Sequence, residues 1–155
     1  MTISKRYEKL LEVFNNAGIK AAISSDITAE LWKKFIVICV GGLLAETKAT
    51  YGELRELPET RAMMIGLLNE IYSISQKLEI NIEPDFVDKS ISQIDSYPYD
   101  STASLTRDVW NGKPSEIEYQ NGTVVKLSRK LLIETPINEL VYNCILPMDV
   151  KVRGK

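Results

Sequence analysis

Apolar residues recur through most of this chain at spacings of three and four, the mark of helices with one buried face. Tyr7, Leu10, Leu11, Phe14 and Ala17 follow that spacing across Ser4–Asn16, with Lys and Glu between them, and Gly18 stops it. This predicts a short amphipathic helix. Lys20 to Ser25 reads as a brief extended or coil segment.

The next stretch, Asp26 to Ala45, differs in kind. Asp26 or Thr28 can cap its start, and Glu30 sits well in the first turn. From Leu31 onward nearly every side chain is apolar and no proline interrupts. A helix apolar on all sides is surrounded by protein or by lipid. The uncharged run from Phe35 to Ala45 is shorter than the about 20 residues a bilayer span needs. The pattern therefore predicts the central helix of a soluble helical domain. Gly41 and Gly42 inside it each cost roughly 1 kcal/mol relative to alanine, so they admit a close neighbour or mark a kink.

Thr47 to Arg55 is read as a turn and a short helix. Pro58 opens a helix over Glu59–Leu78, with Met63, Met64, Leu67, Leu68, Ile71, Ile74 and Leu78 as its apolar stripe. Further helices are expected over Asp85–Ile94, Thr102–Trp110, Ser115–Leu131 (capped by Ser115) and Ile137–Leu146, the last started by Thr135-Pro136. No segment shows sustained two-residue alternation, so strands are few or absent. The fold expected is all-α. It is a single helical domain over 1–155, with its core about 4–147 and a frayed tail over 148–155.

Composition narrows the chemistry. The 155 residues carry a net charge of −2 and no basic cluster, which argues against nucleic acid or an anionic membrane as partner. Met1 to Phe14 is charged and amphipathic, unlike a signal peptide, and the expected location is the cytoplasm. Cys39 and Cys144 each sit in an apolar helical pattern and read as buried free thiols. The sequence contains no histidine, which removes Ser-His-Asp triads, Cys-His pairs and His-based metal sites from this chain, and no metal site is expected. Proton transfer is left to Lys, Glu, Asp, Tyr or Cys. No Gly-rich phosphate loop follows a strand, so no nucleotide-binding half is visible.

Two places could carry chemistry. Lys33 and Lys34 are adjacent, roughly 100° apart around the helix axis, so one reaches solvent and the other is turned towards apolar neighbours. Lys34 shares a face with Ile38 and Gly42, and apolar surroundings there would lower its pKa, as suits a proton donor or acceptor. The alternative is that both lysines snorkel to solvent. The second place is Ser104-Leu-Thr-Arg-Asp108 with the turn Asn111 to Gly122, where a hydroxyl and a carboxylate could converge. The alternative there is capping alone, by Ser115 with Glu116 and Glu118.

Several of these segments, in this order, resemble the second domain of the ketopantoate reductase (2-dehydropantoate 2-reductase) family. They are Leu31-Trp-Lys-Lys-Phe35 before an apolar helix, Thr50-Tyr-Gly-Glu-Leu-Arg55, Ser104-Leu-Thr-Arg-Asp108, the Gly-x-Pro-x-Glu116-Ile-Glu turn, Asn121-Gly122 and Thr135-Pro136-Ile-Asn138. The resemblance runs from about Asn15 to Leu146. It implies an all-helical domain similar to that of 6-phosphogluconate dehydrogenase, preceded in the family by a Rossmann domain that binds NADP. Substrate, a small 2-oxo acid, then lies between the two. By the same resemblance Lys34 matches the catalytic lysine, Glu116 the glutamate that fixes lysine and substrate, and Ser104 the substrate-binding serine. A homodimer is a further expectation of the resemblance.

The sequence departs from the family at three places. Two asparagines usually follow the lysine on its own face, where this chain has Ile38 and Gly42, and the first of a usual serine pair is Ala103. The Rossmann domain is absent, so the chain reads as a domain cut from a longer protein or a short reading frame that lost its first half. The missing domain would be a partner in cis or in trans. The expectation is the catalytic half of a 2-oxo acid reductase, inactive alone; the alternative is a non-catalytic helical module for dimerisation or docking.

Overall fold

Residues 4–154 are described by a computed structural model, and every regular element among them is a helix. Met1 to Ile3 and Lys155, counted above in the domain and its tail, lie outside the described residues. The helices are α1 (Lys5–Asn16), α2 (Ile27–Ile38), α3 (Val40–Thr47), α4 (Tyr51–Glu56), α5 (Pro58–Lys77), α6 (Phe86–Asp95), α7 (Ser104–Trp110), α8 (Asn121–Leu131) and α9 (Pro136–Val152).

The predicted central helix is two helices. Asp26 caps α2 by accepting from the Ala29 N–H at 3.0 Å. The α-helical ladder then fails at Cys39, whose carbonyl accepts from the Gly42 N–H at 3.2 Å and from the Asn121 side-chain amide at 3.3 Å. The tightened turn and the inserted amide together account for the break. Only the second piece is wrapped by protein. Val40 to Ala45 of α3 are all buried, whereas α2 buries only Ala29 and Ile36.

Helix α5 shares the organising role with α3. Pro58 occupies its first turn and Glu59 complements the helix dipole there. Its 20 residues bury Met64, Leu67, Leu68, Ile71 and Ile74, and it packs against α2, α3, α4, α6, α8 and α9. Each such side chain removed from water contributes about 1.5–3 kcal/mol. Glu70 of α5 also caps a neighbour. Its carboxylate accepts from the backbone N–H groups of Ile137 (2.9 Å) and Asn138 (3.0 Å), at the first turn of α9. Thr135, the N-cap position of α9, makes no side-chain cap, so the carboxylate from α5 supplies it.

The short α4 begins with a capping box, in which Thr50 and Glu53 each accept from the other's backbone N–H. Two other boundaries differ from the sequence expectation. The helix expected from Ser115 starts at Asn121, because Glu116 to Gln120 form turns and Ser115 is tied elsewhere, to Asp149. The tail expected to fray from 148 instead continues α9 through Pro147 to Val152, with Asp149 only 6% exposed. Asp149 anchors it: it accepts from the Ser115 N–H at 2.6 Å and from Arg153 Nε at 2.5 Å, while Arg153 donates to the Ser115 carbonyl.

Candidate functional site

The α2–α3 junction is packed from two sides, by α7 and by the start of α8. Helix α7 lies along α3 in the same direction: the Thr106 hydroxyl donates to the Gly41 carbonyl at 2.8 Å and Trp110 Nε1 to the Ala45 carbonyl at 3.2 Å. This close approach depends on Gly41, since a Cβ there would stand 2.9 Å from Ala103 Cβ. Ser104, next to Ala103, is thereby held beside the junction at the first position of α7. Its side chain is exposed and makes no hydrogen bond among the described residues.

A second element reaches the junction from the other side. Asn121, fully buried at the start of α8, donates to the Cys39 carbonyl and to Asn138 Oδ1, the latter at 3.0 Å. Asn138 in turn donates to the Leu67 carbonyl (3.2 Å) and to Glu70 (2.7 Å). Those partners fix both amide orientations, because only nitrogen can face a carbonyl or carboxylate oxygen. Five residues before Asn121 stands Glu116, exposed, its carboxylate accepting from Gln120 Nε2 at 3.1 Å. The turn that carries it is fixed by the Ser115–Asp149–Arg153 cluster. Burial works against the Asp149 carboxylate, but the Arg153 guanidinium and the Ser115 N–H and O–H outweigh it and hold the group below its ordinary range.

The two lysines divide differently from expectation. Lys33 is the partnered one, paired with Glu83 at 2.9 Å and Glu30 at 3.2 Å. The Glu83 hydrogen bond holds its ammonium above the ordinary lysine range and Glu83 below the carboxylate range. Lys34 is exposed and makes no ion pair among the described residues, which do not build the apolar enclosure expected around it. The reason is that no described helix covers that face of α2. Ile27 (63% exposed) and Leu31 (61%) share the face with Lys34 and with the half-buried Ile38. Lys34 thus stands in an uncovered apolar stripe one to two turns before the junction.

Lys34 lies on α2, Ser104 at the first position of α7 and Glu116 in the turn before α8, and among the described residues no hydrogen bond or ion pair joins any two of them. Asn121 and Asn138, which are buried, and the partly buried Glu70 hold the junction, and Asp149 holds the Glu116 turn; the sequence assigns none of the four a role. Asn121 and Asn138 stand in its motifs, Glu70 in unmarked helical pattern and Asp149 in the tail expected to fray. The thiols are not candidates. Burial pushes Cys39 far above its ordinary range, and burial with the nearby Glu46 carboxylate raises Cys144. Among the described residues no three Cys, Asp or Glu cluster as a metal would require, and no strand leads into a Gly-rich turn, so they offer no cradle for a dinucleotide.

Fold and site together define an all-α domain with one open apolar face that carries a lysine above a tightly packed helix junction. Residues 26–149 match the family described as the C-terminal domain of ketopantoate reductase PanE/ApbA. The chain belongs to that family. It is similar to the 2-dehydropantoate 2-reductase of Pyrococcus abyssi, 29% identical over 147 residues that cover 91% of this chain and 47% of the relative. It is also similar to the 2-dehydropantoate 2-reductase of Vibrio cholerae, 26% identical over 148 residues, covering 95% and 50% respectively. The crystal structure of a PanE/ApbA family ketopantoate reductase from Ralstonia eutropha superposes with a TM-score of 0.86 at 25% identity, over 97% of this chain and 50% of that one. The chain spans about half the length of the curated relatives it matches. No described helix is long and apolar enough to cross a membrane.

Proposed function

We propose that this chain is the substrate-side, catalytic half of a ketopantoate-reductase-like oxidoreductase, which reduces ketopantoate or a related 2-oxo acid at the expense of NADPH. Lys34 is the proton donor to the alkoxide that develops as the keto carbon accepts hydride. Glu116 orients lysine and substrate, and Ser104 holds the substrate. The observation that carries this reading is the position of Lys34. It is unpaired among the described residues and shares a face of α2 with Ile27, Leu31 and Ile38.

The chemistry follows from that setting. An ammonium freed of water and of carboxylate partners stabilises a developing oxyanion strongly and can release its proton to it. The dinucleotide belongs to a Rossmann domain outside these residues, in cis or in trans, and the chain is inactive without one. Ile38 leaves the face of Lys34 without an amide group, which favours a 2-oxo acid with an apolar substituent over one that needs a hydrogen bond there. Gly42, beyond the break at Cys39, is packed inside against Asn121 and Val141. A family-like homodimer and a cytoplasmic location belong to the same reading.

The test is Lys34→Ala in this chain joined to a cofactor-binding half. Loss of 2-oxo acid reduction by about 100-fold or more, with unchanged circular dichroism, is expected for a lost acid catalyst. Near wild-type turnover removes Lys34 from the mechanism. A second reading, a non-catalytic docking or dimerisation module of the same family, is favoured by Ile38, Gly42 and the uncovered apolar side chains of α1 and α2. It predicts no turnover with any 2-oxo acid in the joined protein.

A further inference from the structure

Gln120 is a buried polar residue with one end of its amide unsatisfied. It stands at the N-cap of α8, only 6% exposed, and its side chain caps nothing. Its amide nitrogen donates to the Glu116 carboxylate at 3.1 Å. An ionised carboxylate only accepts, which fixes nitrogen on that side of the amide. The other end, Gln120 Oε1, is buried and has no hydrogen-bond partner among the described residues. An unmet buried acceptor costs more than the single bond at the other end contributes, so an apolar side chain of the same size would be the more stable occupant. A polar group kept there against stability points to a function.

The turn around Glu116 is fixed in its backbone but not in that side chain. Ser115 donates to Asp149 through its N–H and hydroxyl, Ile117 is fully buried, and the Tyr142 hydroxyl donates to Glu118. The Glu116 carbonyl accepts from the N–H groups of Tyr119 (3.0 Å) and Gln120 (2.9 Å). Its carboxylate stands several rotatable bonds away from that frame, exposed and without an ion pair among the described residues. The side-chain donor that reaches it is Gln120 Nε2, from a residue whose own rotamer is locked by burial. Two exposed side chains one turn apart would restrain each other little. A buried amide can hold an exposed carboxylate in place. We propose that Gln120 is a positioning residue for Glu116: it fixes the carboxylate in one orientation, with one oxygen bound and the other left free for the site. The proposal deepens the role given to Glu116 above and rests on that reading.

Gln120→Met keeps the side-chain length and removes the amide. Its urea midpoint should equal or exceed that of the wild-type chain, because the unmet acceptor goes with the amide. In the chain joined to a cofactor-binding half, kcat/KM for 2-oxo acid reduction should fall by about tenfold. The same substitution on top of Glu116→Ala should cost nothing further, since a residue that acts only through Glu116 then has nothing to hold. In the 155-residue chain, NMR should show the Gln120 side-chain amide resonances moving as the carboxylates titrate, and holding still in Glu116→Ala. A clear drop in midpoint, an unchanged kcat/KM, or an equal loss with and without Glu116 overturns the proposal, the last by marking a purely structural residue. If Glu116→Ala alone leaves turnover intact, Glu116 leaves the mechanism and the proposal falls with it. A joined protein that reduces no 2-oxo acid sinks the catalytic reading alone. The hold on Glu116 is then decided by the amide resonances, and resonances indifferent to Glu116 overturn it in either case.

Discussion

The most direct test of the junction is to place a single methyl group at Gly42. A Cβ there would lie 2.5 Å from Asn121 Oδ1 and 2.7 Å from Val141 Cγ1, well inside van der Waals contact. Neither neighbour is free to retreat. Val141 is fully buried on α9, and Asn121 is held through its nitrogen by Cys39 and Asn138. Gly42→Ala gains roughly 1 kcal/mol of helix propensity. Against it stand about 1–3 kcal/mol for overpacking and about 0.5–1.5 kcal/mol for each hydrogen bond of Asn121 that is lost. The net expectation is destabilisation of about 2 kcal/mol. Gly66 of α5 is the internal control. Its Cβ would meet chiefly Ile137 Cδ1, the end of a flexible side chain, so Gly66→Ala should be neutral or stabilise by up to about 1 kcal/mol. Urea denaturation with an unchanged m-value reads both. A Gly42→Ala midpoint at or above wild type would show that Asn121 and Val141 move freely, and the account of the junction as a rigid floor would be wrong.

Three further outcomes follow from individual contacts. Glu70→Ala removes three hydrogen bonds at the start of α9 and strands the buried Asn138 amide, so a loss of about 3 kcal/mol is expected in the same denaturation assay. Asp149 has a depressed folded pKa, so its contribution is present above the unfolded value near 3.9 and lost as pH falls through the folded one. Asp149→Asn should therefore weaken the protein at neutral pH and flatten its stability profile below about pH 4, as thermal melts across that range would show. Tyr142 donates to Glu118 at 2.5 Å, and that bond, with burial, pushes its phenol up to about 12. A raised folded pKa gives stability that is complete below about pH 10, the unfolded value, and lost as pH rises towards the folded one. Burial also pushes the Tyr51 phenol up to about 12, so ultraviolet titration should show both tyrosines ionising late, and Tyr142→Phe should reduce that late phase by one tyrosine.

Much of this fold could be read from periodicity. The apolar stripe of α5, the stop at Gly18, the proline starts of α5 and α9 and the short α4 all depend on neighbours within a few residues, where pattern rules hold. The misreadings share another cause: each was decided by a residue distant in sequence. The run from 26 to 45 breaks at Cys39 because an amide arrives from position 121, and the turn before α8 stays unwound because Ser115 is tied to position 149. The same tie keeps α9 helical past Pro147. Of the site, the residue types and their order were legible through the family resemblance. The exposure of Lys34 was not, because an apolar run does not say which of its sides has a partner.

The contrast between the two adjacent lysines carries the functional argument furthest. Lys33 has its charge answered by Glu30 and Glu83 and serves to tie α2 to the connector before α6. Lys34 has no such partner, and Ile27 and Leu31 beside it remain in water. Taking a lysine out of water disfavours its ammonium. The polar scaffold beneath runs from Cys39 through Asn121 and Asn138 to Glu70, with the buried Asn121 Oδ1 left without a hydrogen-bond partner among the described residues. What is left open is the apolar face above it. A body that covers that face would bury Ile27 and Leu31 and strip water from Lys34 in one step, so docking and activation of the lysine would be the same event.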